Sequence, residues 1–103
     1  KKSDSRVAYE IVWTENAKKD LELIYDYLVR KWSERIAEKF LVKVLARLEL
    51  IETFPFSGRA SYKDTSIHKL LITKHNSFYY KIDENTITIL NIFDNRKELN
   101  PFD

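Results

Sequence analysis

The chain has 103 residues, 44% of them hydrophobic and 33% charged, and a formal net charge of +2. That is the length of one domain, with apolar residues enough for one compact core, which excludes a disordered chain and a second domain. Cysteine is absent, so disulfides, thiolate catalysis and thiolate metal sites are excluded, and His68 and His75 alone are too few for a metal centre.

No apolar run approaches the roughly 20 residues of a membrane span, and no signal peptide is visible. A cytoplasmic protein without a membrane partner is therefore expected. The single glycine, Gly58, cannot build a phosphate-cradling loop, so neither a nucleotide site nor a small-molecule cofactor is expected. Lys1 to Arg6 reads as a disordered polar tail or the remnant of a trimmed or tagged start, and residues 7–103 as the one domain.

Tyr9 to Thr14 alternates as a short strand, with Thr14 placed to cap the helix that follows. Ala17, Leu21, Ile24, Leu28 and Trp32 then recur at helical spacing and predict one buried face. Glu15 at the start and Arg30 and Lys31 at the end suit the helix dipole. Ser33 is the next candidate cap, and Ala37, Phe40, Leu41, Val44, Leu48 and Ile51 mark a second helical face, ended by Pro55 and Gly58. With almost no loop at Lys31–Glu34, the two helices should form an antiparallel hairpin.

The period then changes. His68 to Lys74, Phe78 to Ile82 and Thr86 to Phe93 read as strands, separated by turns at His75-Asn76-Ser77 and Asp83-Glu84-Asn85. Apolar residues on both faces of the last segment place it in the interior of the sheet. The expected fold is α+β: an N-terminal strand, a helical hairpin and a three-stranded antiparallel meander, in the order β-α-α-β-β-β.

Charge is unevenly spread. Phe54 to Ile82 carries five bases (Arg59, Lys63, Lys69, Lys74, Lys81) against one acid, Asp64, whereas the segment from Asp83 onward holds five acids and two bases. A positive field where the sheet begins points to a phosphate-rich or acidic macromolecular partner. Arg59, Lys69, Lys74, Lys81 and Arg96 are the candidate binding residues, expected to share one surface patch. Metal-free RNA cleavage needs a base for the 2′-hydroxyl, cations on the phosphate and a donor to the leaving oxygen. Lys74, His75, Tyr79 and Arg96 have the chemistry for those roles. As neighbours on a strand, Tyr79 and Tyr80 should point to opposite faces, one of them serving the core.

Several phrases in this order resemble the RelE/ParE toxin superfamily, its ParE-like plasmid-stabilisation branch above all. They are Ile11-Val12-Trp13-Thr14 with Ala17 and Asp20-Leu21, then Phe54-Pro55 to Gly58-Arg59, Lys74 through Ile82, Phe93-Asp94-Asn95-Arg96, and Asn100-Pro101. The resemblance implies a growth-inhibiting toxin neutralised by a cognate antitoxin, which lays an extended or helical segment along a groove. It also implies a target: DNA gyrase, inhibited by binding alone in the ParE-like branch, or the ribosome with its mRNA, cut in the RelE-like branch. Gly58-Arg59 and the absence of a terminal His or Tyr pair favour non-enzymatic inhibition of gyrase. Lys74, His75 and Tyr79 sustain the endoribonuclease alternative, and an inactive interaction module is the third reading.

Overall fold

The computed structural model describes residues 9–96; the segment 1–6 and the Asn100-Pro101 phrase lie outside the described residues. The elements are β1 (Glu10–Trp13), α1 (Glu15–Lys31), α2 (Glu34–Thr53), a 3-10 turn (Pro55–Ser57), β2 (Arg59–Ala60), β3 (Ile67–Leu71), β4 (Asn76–Asp83) and β5 (Thr86–Asp94). This is the expected α+β order with one addition, the two-residue β2. Among the described residues no helix is long and apolar enough to cross a membrane.

Both caps act as read from the sequence. The Thr14 hydroxyl accepts the Ala17 N–H at 3.1 Å and the Ser33 hydroxyl that of Ile36 at 3.2 Å, each satisfying an amide with no partner inside its helix. Only Trp32 and Ser33 separate the helices, so α1 and α2 fold back on each other. Trp32 departs from the expected core face and is 67% exposed. It is the C-cap, with φ −121° and ψ −81°, so the helical projection that would bury it has ended one residue earlier.

The hairpin covers one face of a five-stranded sheet of order β1-β5-β4-β3-β2, in which β1 runs parallel to β5 and the other pairs are antiparallel. β5 is interior, as its apolar residues on both faces require. The core joins Ala17, Phe40, Val44 and Ile51 of the helices to Ile72, Phe78, Tyr80, Ile87, Ile89 and Ile92 of the sheet side. Each large apolar side chain so buried contributes on the order of 1.5–3 kcal/mol before entropy is counted.

A β-bulge explains how Ile87, Ile89 and Ile92 all reach that core. Tyr79 lies opposite Asn91 but Tyr80 opposite Ile89, leaving Leu90 as an extra residue that shifts the strand's phase. The bulge is tied down from outside the pair: the Thr14 hydroxyl lies 2.9 Å from the carbonyl oxygens of both Ile89 and Leu90, and its amide donates to Ile89 at 3.2 Å.

The first turn of the meander falls earlier than its polar composition suggests. β3 stops at Leu71 and β4 starts at Asn76, so the turn is 72–75, and Asn76 and Ser77 belong to the strand. The Thr73 hydroxyl organises the turn by accepting the amides of His75 and Asn76 at 3.1 and 3.2 Å. Ser77 is buried, with its hydroxyl donating to Asn95 Oδ1 at 2.9 Å. The second turn falls where expected, with Glu84 taking a left-handed φ of 52°. Tyr79 and Tyr80 are both buried, at 1% and 0% exposure, rather than only one of them.

Candidate functional site

Both outer strands are shorter than the strands they pair with, which leaves backbone groups of β5 and β3 without a ladder partner. Helix side chains meet two of them. Asp20 of α1 accepts the Ile92 amide at 2.9 Å, and Arg47 Nε of α2 donates to the Leu71 carbonyl at 2.8 Å. These bonds fix how the hairpin lies over the sheet. Beyond them, toward the Trp32 tip, the hairpin and the sheet diverge around a groove of about 790 Å³.

The groove floor is apolar, built from Ile24, Leu28, Phe40 and Ile92, and Tyr27 and Trp32 stand on the α1 side. Lys39 and Lys43 line the α2 wall, and His75 and Arg96 come from the sheet end. The acids present are occupied: Asp20 holds the Ile92 amide and Asp94 holds Arg96. The sequence reading missed Lys39, Lys43 and Arg47, although their spacing by four placed three bases on one face of a predicted helix.

The predicted site residues divide between three places. Arg59, Lys69 and Tyr79 stand in register across β2, β3 and β4, so their side chains share the face of the sheet turned away from the helices. Lys81 lies on that face too, opposite Ile67. The Lys69 ammonium stands 5.8 Å from the centre of the Tyr79 ring, and Phe93 meets the same ring edge-on at 5.8 Å. Lys74 and His75 are exposed in the turn between β3 and β4. Arg96 lines the groove, where its Nε and Nη2 each donate to Asp94 at 2.9 Å. These hydrogen bonds, with the carboxylate's charge, hold the guanidinium pKa above its ordinary value.

The expected single cationic patch is thus three residues on the face turned away from the hairpin, one in the turn and one in the groove. Of the four residues considered for RNA cleavage, Tyr79 stands apart from the other three. His75 and Arg96 line the groove beneath the hairpin, and Tyr79 is buried on the other face. Catalysis by these groups would require all of them within hydrogen-bonding reach of one phosphate and its flanking oxygens.

At the helix exit, Tyr80 completes the junction between α2 and β2. Its hydroxyl donates to the Pro55 carbonyl at 2.8 Å and accepts the Gly58 amide at 3.0 Å. A Cβ on Gly58 would lie 2.6 Å from that hydroxyl and 2.6 Å from the Lys69 carbonyl, so this position is glycine for close approach.

The sequence of residues 11–99 matches the family model of the ParE toxin of the type II toxin–antitoxin system, parDE. No curated protein sequence matches the chain. Among solved structures, the chromosomal ParDE system of P. aeruginosa is 20% identical with a TM-score of 0.71, over 84% of this chain and 96% of that one. A YoeB/ParE toxin from Agrobacterium tumefaciens is 16% identical with a TM-score of 0.61, over 82% and 97%. The RelBE2 toxin–antitoxin complex from Mycobacterium tuberculosis is 18% identical with a TM-score of 0.58, over 85% and 99%. At these identities the structures share the fold, and it is the sequence match over nearly the whole chain that assigns the protein to the ParE toxins of type II toxin–antitoxin systems, within the RelE/ParE superfamily.

Proposed function

We propose that this toxin stops growth by binding a DNA gyrase-type topoisomerase, without chemistry of its own, and that a cognate antitoxin neutralises it by filling the groove under the hairpin. The observation that carries the reading is the separation of the cleavage candidates: Tyr79 is 1% exposed on one face of the sheet, and Arg96 is engaged by Asp94 on the other. A binding surface tolerates that arrangement, because each cation acts on its own contact. The similarity in fold to the P. aeruginosa ParDE system supports the same reading. An apolar floor flanked by Lys39 and Lys43 suits an acidic, amphipathic segment, its apolar side inward and its acids against α2.

The endoribonuclease reading rests on one observation, that Lys74 and His75 are adjacent and exposed and that His75 lines the groove with Arg96. The two readings part in vitro. Purified toxin is added to gyrase with relaxed plasmid, and separately to a translation reaction programmed with a defined message. Loss of supercoiling or trapped double-strand breaks is expected, with an intact message, and His75→Ala should inhibit gyrase like the unaltered toxin. Discrete cuts in the message that vanish with His75→Ala would replace this reading by the enzymatic one.

A further inference from the structure

The charges of α2 are sorted in a way that the helix's own stability does not explain. It carries four acids and four bases, yet among the described residues no ion pair joins them. Arg35, Lys39, Lys43 and Arg47 follow one another at steps of four, so each base has another base as its helical neighbour. Like charges at that spacing oppose helix formation, whereas glutamates among them would have favoured it. Glu34, Glu38, Glu49 and Glu52 fall instead on the other flank of the helix.

The basic row is longer than the groove it borders. Lys39 and Lys43 line the groove wall, but Arg47 lies beyond it, tied through Nε to the Leu71 carbonyl at 2.8 Å. Leu71 ends β3, and the turn that follows exposes Lys74 and His75. A segment filling the groove alone would leave the charges of Arg47 and Lys74 unmatched. From Lys39 to Arg47 the helix rises about 12 Å, enough to span about three phosphates at roughly 3.4 Å per charge along one strand of a duplex. With Arg47 anchored on the sheet, little of this row has to be ordered on binding.

From this row and its continuation at Lys74, we infer that the toxin binds double-stranded DNA by the phosphate backbone, without reading sequence. Each base neutralises a phosphate and releases its counterions, and no nucleobase has to enter the groove. An acidic protein segment lying against Lys39 and Lys43 would exclude the duplex from the same helix. Duplex binding involves toxin and DNA alone and does not depend on which enzyme the toxin inhibits.

The test follows the anisotropy of a fluorescent mixed-sequence duplex as the purified full chain is added, across a range of salt concentrations. Affinity should fall steeply with salt, with a log–log slope of about −3 to −4 for three or four neutralised phosphates. Lys39→Ala and Lys43→Ala should each weaken binding several-fold and flatten the slope by about 1. Lys63→Ala removes the same charge from the loop between β2 and β3 and should change neither quantity. Tm, read alongside, separates these effects from unfolding. Equal losses in all three variants, an affinity indifferent to salt, or tighter binding of single-stranded DNA or RNA of the same length would each overturn the inference.

Discussion

Burial raises the Tyr80 phenol pKa above its ordinary value, because the ionised ring would lose its hydration beneath α2. The neutral phenol is therefore favoured by folding. Its stabilising contribution is complete below the phenol's unfolded pKa and is lost as pH rises through the higher folded value. The same hydroxyl serves the Pro55 carbonyl and the Gly58 amide, so Tyr80→Phe leaves both without that partner. A cost of about 1–3 kcal/mol is expected in urea unfolding at neutral pH, together with loss of this group's share of the alkaline destabilisation. An unchanged midpoint would show that the helix exit does not depend on this hydroxyl. His68 lies close by, stacked on Tyr80 at 5.7 Å, and its Nδ1 has no hydrogen-bond partner. Only the tertiary fold reveals that setting, because in the sequence His68 is simply the first residue of a predicted strand.

At the scale of elements, Thr14 links three of them: it ends β1, caps α1 and holds the bulge of β5. Thr14→Val keeps the shape and removes the hydroxyl. A loss of about 1–2 kcal/mol is expected for the cap, with faster hydrogen exchange around Leu90 if the bulge is released. Exchange confined to the first turn of α1 would limit Thr14 to capping. The cap was legible because Thr14 precedes a helical repeat, and the two helices because their apolar spacing is sustained over many residues. The bulge was not, since Ile87, Ile89 and Ile92 read only as apolar residues of mixed parity until Tyr80 is seen opposite Ile89. Nor was β2, whose two residues carry no period. The first turn was misplaced because Asn76 and Ser77 look like turn residues, yet the Ser77 hydroxyl has its own partner in Asn95. Of the candidate site, the cations of β2, β3 and β4 were legible from local charge. The groove was not, because it exists only where the far end of the hairpin overhangs the sheet.

For the molecule as a whole, the layered α+β plan sets where a partner can bind. One face of the sheet is spent on the core, and the grip between the layers is uneven. Among the described residues, the hydrogen bonds joining the hairpin or its cap to the sheet and its flank come from Thr14, Asp20, Arg47 and the Glu52 carbonyl. All of these lie toward the end opposite Trp32. From Asp20 to Lys31 the first helix runs roughly 16 Å at 1.5 Å per residue. The hairpin is in effect a beam clamped at one end. Its free end should swing most for the same thermal energy, opening and narrowing the space beneath it without breaking any clamp. Amide exchange rates should rise steadily from Ala17 toward Val29, and Trp32 fluorescence should lose its mobility once an antitoxin occupies that space; a rigid tryptophan in the free toxin would mean that the beam is braced along its whole length.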